Sequence, residues 1–310
     1  MSRFGYACLN STLQSLKPRV TCNRGMIKRT FAAKGLPYAS QLAYQNTRDL
    51  LKILKWNSQN DVKVFRITSC LFPWASEYQL EDLPDINLIV DNLVAAGDFA
   101  RKDGQRLSFH PGPFNILSSP KEHVVKNAYT DLEVHGKIFD IMGMPRNHWS
   151  KINIHVGASY GNRQKALETW CKNFEGLSDS VKSRLTLEND DKPSLYSTKM
   201  LYEGVYQKLG VPIVFDSHHF ECGPQDVDYE ESLLMAIDSW PEGITPVCHH
   251  SNSKNLYENN TVNINAHSDW YYEPFNDCGF DLDVVLECKK KELALLKYRK
   301  DFLQCESMAA

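Results

Sequence analysis

Eight short stretches rich in β-branched and aromatic residues recur along the chain: FGYAC (4–8), VKVFRITS (62–69), QRLSFH (105–110), KINIH (151–155), RLTLE (184–188), VPIVFD (211–216), ITPVCHH (244–250) and LDVVLE (282–287). Six of them close on or beside a side chain of metal-ligand type: His110, His155, Glu188, Asp216, His249 and Glu287. A buried strand has no packing reason to finish in imidazole or carboxylate six times. A barrel of parallel strands gathers its strand ends at the C-terminal face, where active sites sit. The pattern therefore constrains the chain to a parallel α/β sheet and to a metal centre at one end of it.

Segments of helical length and period separate the strands, at 38–60, 86–104, 118–143, 162–176, 194–209, 228–238 and 289–303. In the first, Leu42, Gln45, Leu50, Leu54 and Trp56 lie near one stripe and Asp49, Lys52 and Lys55 elsewhere. Gly104 suits the end of the second, and Ser119 with Pro120 the start of the third. Strand–helix repeated to eight strands predicts α/β architecture as a (β/α)8 TIM barrel, the common size being ~250 residues. An open doubly wound sheet would use the same elements, but it spreads its strand ends along a crevice instead of around one point. No linker divides the chain, so one domain is expected over 1–310, with 293–310 a partly ordered tail.

The formal net charge of −3 advertises no global nucleic-acid binding, though a local basic rim suffices to track phosphates. Nine cysteines without a C-x-x-C pair fit reduced thiols better than a disulfide framework or a zinc knot. The N-terminus has no apolar signal region and no apolar run approaches ~18 residues, so a cytoplasmic protein without a membrane span is expected.

The three histidines and three carboxylates supply nitrogen and oxygen donors suited to Zn2+, Mn2+ or Fe2+. DSHH (216–219) adds His219, and NAHSD (265–269) adds His267 and Asp269, as donors for a further ion. His218 and His250 each neighbour a better-placed histidine and read as structural. His123, His135 and His148 read as surface residues.

These residues, with R-x-G-Y-x-C-x-N (Arg3, Gly5, Tyr6, Cys8, Asn10), FRITSCLFPWAS (65–76), LSFHPGPF (107–114), IHVGASYGN (154–162), LTLENDD (185–191), VFDSHHF (214–220), CHHSNS (248–253), NAHSD and VLECKKKE (285–292), resemble the UV damage endonucleases, which are related to endonuclease IV. The resemblance implies that His110, His155 and Glu188 hold one metal, and that Glu188, Asp216, His249 and Glu287 hold a second, with Glu188 bridging. His219 and His267 would help hold a third, and Glu188, His110 and Glu287 would carry catalysis. Mn2+ is the first choice of ion, with Zn2+, Mg2+ or Fe2+ as alternatives. The implied reaction is incision of damaged double-stranded DNA immediately 5′ to cyclobutane pyrimidine dimers, 6-4 photoproducts and abasic sites, leaving a 3′-hydroxyl and a 5′-phosphate.

The chemistry suits such ions, which attract a phosphodiester, acidify water and stabilise the departing oxyanion. Lesion contacts are expected from Tyr6, Asn10, Pro113 and Phe114. The loop reads H-P-G-P-F where bacterial members have Gln-Tyr after H-P-G, so Phe114 retains a stacking ring while Pro113 lacks an amide. Cys70 stands where some members have His, and Val247 where some have Lys. Backbone contacts are expected from Lys289, Arg163, Lys192, Lys254 and Lys291, and the protein is expected to act as a monomer. The rival readings are an abasic-site endonuclease of the endonuclease IV type, a divalent-metal sugar isomerase on the same barrel, and a damage-binding protein without enzymatic activity.

Overall fold

In the computed structural model, which describes residues 2–303, eight parallel strands close into a barrel in sequence order. They are β1 (Arg3–Cys8), β2 (Val64–Ile67), β3 (Arg106–Phe109), β4 (Ile152–Ile154), β5 (Leu185–Glu188), β6 (Ile213–Asp216), β7 (Val247–His250) and β8 (Asp283–Leu286). Closure runs through β1 against β8, with Arg3 opposite Asp283 and Tyr6 opposite Leu286. Seven strands lie inside the stretches that the sequence marks for them and β1 begins one residue earlier, at Arg3, because β-branched and aromatic residues pack well on a pleat buried on both faces.

The outward residues, including Phe65, Ile67, Leu107, Phe109, Ile154, Leu187, Phe215 and Val284, meet the surrounding helices in one apolar layer. The helix Ile86–Asp103 ends at Gly104, and Arg163–Phe174 is capped by Asn162, whose side chain accepts from the Lys165 amide. The helix over Lys28–Gln59 is broken at Gly35, just before Pro37, so the predicted start near 38 marks its regular part. Asp49 on that helix is buried, not on an outer face. Arg24 and Lys52 pair with it at 2.6 and 2.8 Å, pinning the preceding loop.

Ser119 is not an N-cap. The helix begins at Glu122, and the Ser119 hydroxyl accepts from the Lys121 amide one turn earlier. Lys291–Tyr298 and the turn Arg299–Leu303 are ordered helical structure, while the predicted tail beyond 303 lies outside the described residues. Among the described residues, no helix is long and apolar enough to cross a membrane.

Candidate metal centre

Strand alternation decides which side chains enter the barrel. Arg106, Ser108 and His110 share the inner face of β3 and its end. Lys151, Asn153 and His155 do so along β4, Thr186 and Glu188 on β5, Val214 and Asp216 on β6, Val247 and His249 on β7, and Asp283, Val285 and Glu287 along β8. Contacts across the barrel fix this parity. Lys151 Nζ is 3.1 Å from His249 Nε2, and Arg106 Nη1 is 2.9 Å from Asp283 Oδ2. The six strand-end residues therefore face one point at one end.

Glu188 is at the centre. Its Oε2 lies 3.0 Å from His110 Nε2 and 3.9 Å from His155 Nε2, and its Oε1 lies 3.2 Å from both His219 Nδ1 and His249 Nδ1. Asn153 donates to Oε2 from inside the barrel, and the Thr186 hydroxyl holds Asn153 at 2.7 Å. Two sets of donors converge, His110 with His155 and Glu188, and Glu188 with Asp216 and His249. The atoms within each set lie within 4.8 Å of one another, and Glu188 belongs to both.

Asp216 Oδ1 accepts from the His219 amide at 2.8 Å, which starts the short helix Ser217–Cys222 and leaves Oδ2 free of that bond. Asn189 clamps the end of β6 by bonding both the amide and the carbonyl of Asp216. Glu188 Oε1, Asp216 Oδ2 and His249 Nδ1 are buried without a hydrogen-bond partner. Buried polar atoms are ordinarily satisfied, so three orphans aimed together are donors of the kind a cation completes.

Electrostatics divide the donors. Burial pushes His110 down to about 4 and also lowers His249, leaving imidazole lone pairs free for coordination at neutral pH. Burial alone would raise Glu188, but His249 and His155, together with the close approach of His110 and His219, hold it well below the usual carboxylate range. Burial raises Asp216. His219 rises well above the ordinary histidine value because Asp216 and Glu188 outweigh its desolvation.

The remaining expected donors sit less simply. Glu287 Oε1 is 3.1 Å from His249 Nδ1 and is also engaged by Arg66 from β2. His267 Nδ1 meets the Ser251 hydroxyl at 2.7 Å, and its ring centroid is 6.1 Å from that of His219. Asp269 is turned away to Lys254 Nζ at 2.8 Å. His218 and His250 are buried, the latter bonded to the Ser217 hydroxyl at 2.7 Å.

Of the supposed surface histidines, only His123 is exposed. His135 is buried with Nδ1 2.7 Å from the Asp131 carbonyl, and His148 is half-buried beside Trp240.

Tyr6 and Asn10 require correction as lesion contacts. Tyr6 has an outward parity on β1, is 0% exposed, and packs against Phe65 and Trp56 with its hydroxyl donating to Asn57 Oδ1 at 2.7 Å. Asn10 caps the turn Ser11–Gln14, accepting from the Leu13 amide and donating to the Tyr6 hydroxyl at 2.9 Å. Neither is open to a nucleotide in this structure. Phe114 is 58% exposed, next to exposed Pro113.

Lys192 and Lys289 are exposed on loops after β5 and β8, and Lys291 is half-buried after β8. Arg163 is spent on the carbonyls of Pro193 and Ser194, and Lys254 on Asp269 and Glu258. Lys151, Asn153, Asn189 and Arg66 are site residues that sequence reasoning missed. Their signal is the alternation that places Lys151 and Asn153 on the same face as His155.

The sequence profile of the family described as UV-endonuclease UvdE matches residues 2–309. A UV-damage endonuclease of Schizosaccharomyces pombe is 35% identical over 307 residues, which cover 95% of this chain and 50% of that protein. The chain thus spans about half the length of that relative. A UV DNA damage endonuclease of Bacillus cereus is 30% identical, with 96% of this chain and 93% of that protein covered. The solved structure of SacUVDE superposes with a TM-score of 0.84 at 25% identity, covering 99% of each chain. With a profile matched from residue 2 to 309 and these relatives along its length, the chain belongs to the UV-endonuclease UvdE family of enzymes.

Proposed function

We propose that this chain is a divalent-metal-dependent repair endonuclease acting on damaged double-stranded DNA. It incises immediately 5′ to cyclobutane pyrimidine dimers and 6-4 photoproducts, and at abasic sites, leaving a 3′-hydroxyl and a 5′-phosphate. The observation that carries the reading is the pair of donor sets sharing Glu188, with buried orphan atoms on Glu188, Asp216 and His249, in a family of UV endonucleases. His110, His155 and Glu188 would hold one ion. Glu188, Asp216 and His249 would hold a second, with Glu287 beside them, and His219 with His267 would serve a third. Bound there, such ions supply Lewis acidity that neutralises the phosphodiester and activates water, with Mn2+ the first candidate.

The chain's own residues pre-organise the centre. Asn153 and Thr186 lock the Glu188 carboxylate, Asn189 fixes the β6 end that carries Asp216, and Lys151 faces the far nitrogen of His249. Phe114 on the rim stacks on or wedges between bases, where a lesion has already lowered the cost of unstacking. Lys289 and Lys192 supply phosphate contacts. One barrel forms the entire face, so the working unit is a monomer, acting in a cytoplasm open to the DNA.

The test is nicking of three labelled duplexes, carrying a thymine dimer, an abasic site or no lesion, with Mn2+ and with EDTA. Cutting just 5′ to the dimer, dependent on Mn2+, is expected. Glu188→Gln should lower the rate by more than about 100-fold while lesion binding persists, since it removes the shared donor. Cutting only at the abasic site would reassign the enzyme to abasic DNA. No cutting of any duplex by metal-loaded protein would remove the endonuclease reading.

A further inference from the structure

Beside the metal centre lies a cleft of about 630 Å³ between the loops after β3, β4 and β5. Its inner end is formed by His155 and His219, and its outer wall by Tyr160 on the loop between β4 and the helix Arg163–Phe174. Pro113, from the β3 loop that also bears the exposed Phe114, lines the cleft as well. Lys192, exposed on its lip, offers a cation that the neighbouring Asp190, paired with His155 at 3.3 Å, does not consume.

Tyr160 itself is held in an unusual way. Its φ of 49° lies in the left-handed region, disfavoured for a bulky residue, and Gly157 and Gly161 on either side also have positive φ. A backbone held in this conformation presents a ring that is 49% exposed towards solvent. Strain that keeps a large apolar ring out of the core has no packing benefit, and such outliers cluster at ligand clamps. The same face carries three further non-glycine residues with positive φ, Cys8 at the end of β1 and Trp74 and Lys291 on the segments after β2 and β8.

We infer that Tyr160 is a stacking residue for a nucleotide adjoining the scissile phosphate, which occupies this cleft with its phosphate towards Lys192. The inference rests on the endonuclease reading and adds a second aromatic contact, on a different loop from Phe114. An aromatic face suits any base, so the contact would grip the strand without choosing its sequence.

The experiment combines binding and nicking. Dissociation constants are measured by fluorescence anisotropy on dimer-bearing duplex in EDTA, with 2-aminopurine placed on either side of the lesion to report stacking. Single-turnover nicking in Mn2+ follows on the same duplex. Tyr160→Ala should weaken lesion-duplex binding by about 5- to 100-fold and abolish the 2-aminopurine change at one flank, while Tyr160→Phe and Tyr160→Trp restore both. Mn2+ affinity should be the same in all four proteins. Wild-type nicking with an unchanged Tyr160→Ala, or a loss that Phe and Trp fail to rescue, would overturn the stacking role while leaving the endonuclease reading intact. Wild-type protein that nicks no duplex would remove that reading, and the role of Tyr160 with it.

Discussion

Lys151 lies wholly inside the barrel, 0% exposed, and the group its ammonium reaches is the Nε2 of His249 at 3.1 Å. Burial pushes it down to about 7, so near neutrality a large share of it is the uncharged amine. An amine at this place fixes the rotation of the His249 ring and keeps Nδ1 pointed at Glu188 and Glu287, 3.2 and 3.1 Å away. Partners of this kind behind a metal-binding histidine are worth about 10- to 100-fold in affinity. Lys151→Met keeps the length and fills the space without the nitrogen. It should lower Mn2+ affinity by about that factor in titration calorimetry, with the far-ultraviolet circular dichroism unchanged. Equal affinity would reduce Lys151 to a space filler. In the sequence, a lysine at the start of a strand reads as a rim residue, because lysine is rarely buried. Only its period-two relation to Asn153 and His155 betrays the inward position. The same rule corrects Tyr6, whose neighbours Gly5 and Ala7 take the inner face of β1.

At the scale of elements, the strands and long helices were legible because hydrophobic period and strand-end chemistry agree along most of the chain. Short helices such as Ser217–Cys222 and Lys254–Tyr257 were not, since four to six residues leave no period to read. Nor was the shape of the β3 loop, which depends on a close approach: a Cβ on Gly112 would come within 2.5 Å of the Phe114 ring. Gly112→Ala must therefore displace that ring. Lesion discrimination, taken as the ratio of dissociation constants for intact and dimer-bearing duplex, should fall by about 3- to 10-fold, a part of what one stacking contact is worth. Mn2+ affinity should stay at the wild-type value; a joint loss of both would mean that the loop also supports His110.

The turn His148–Ser150 ahead of β4 offers a second element-level test. Burial and the charge of Arg106 push His148 down to about 4, against 6.5 for the free group. The native state thus favours neutral imidazole. The stability this gives is complete above pH 6.5 and drains away as pH falls towards 4. Between pH 7.5 and 5 the loss from this group is about 2 kcal/mol. His148→Phe, which can keep the edge contact with Trp240, should lose that much less than wild type in urea unfolding over the same interval.

Across the whole molecule, the interior of the barrel divides into an end whose carboxylate is paired with arginine and an end where carboxylates and imidazoles converge. At the N-terminal end Asp283 is met by Arg106 at 2.9 Å and Arg3 at 2.6 Å, with Arg106 also lying 4.8 Å from the Trp149 ring centre, so the buried carboxylate there is fully paired. At the C-terminal end Glu188, Asp216 and Glu287 converge with four histidines within a few ångströms, and four of their atoms, on His155, Glu188, Asp216 and His249, have no hydrogen bond. Concentrating carboxylates there costs stability that divalent ions would return, because ions bind these preformed donors and not the unfolded chain. Mn2+ at 100 to 1,000 times its dissociation constant should raise the unfolding free energy by about 2.7 to 4.1 kcal/mol per site over the EDTA-treated protein. Urea denaturation with and without the ion measures that increment directly. In Glu188→Gln the increment should shrink sharply, because the donor that both sets share is gone. Wild-type protein indifferent to Mn2+, Zn2+ and Mg2+ alike would mean that the donors satisfy one another through shared protons, and that the convergence around Glu188 is a proton-sharing cluster of the fold.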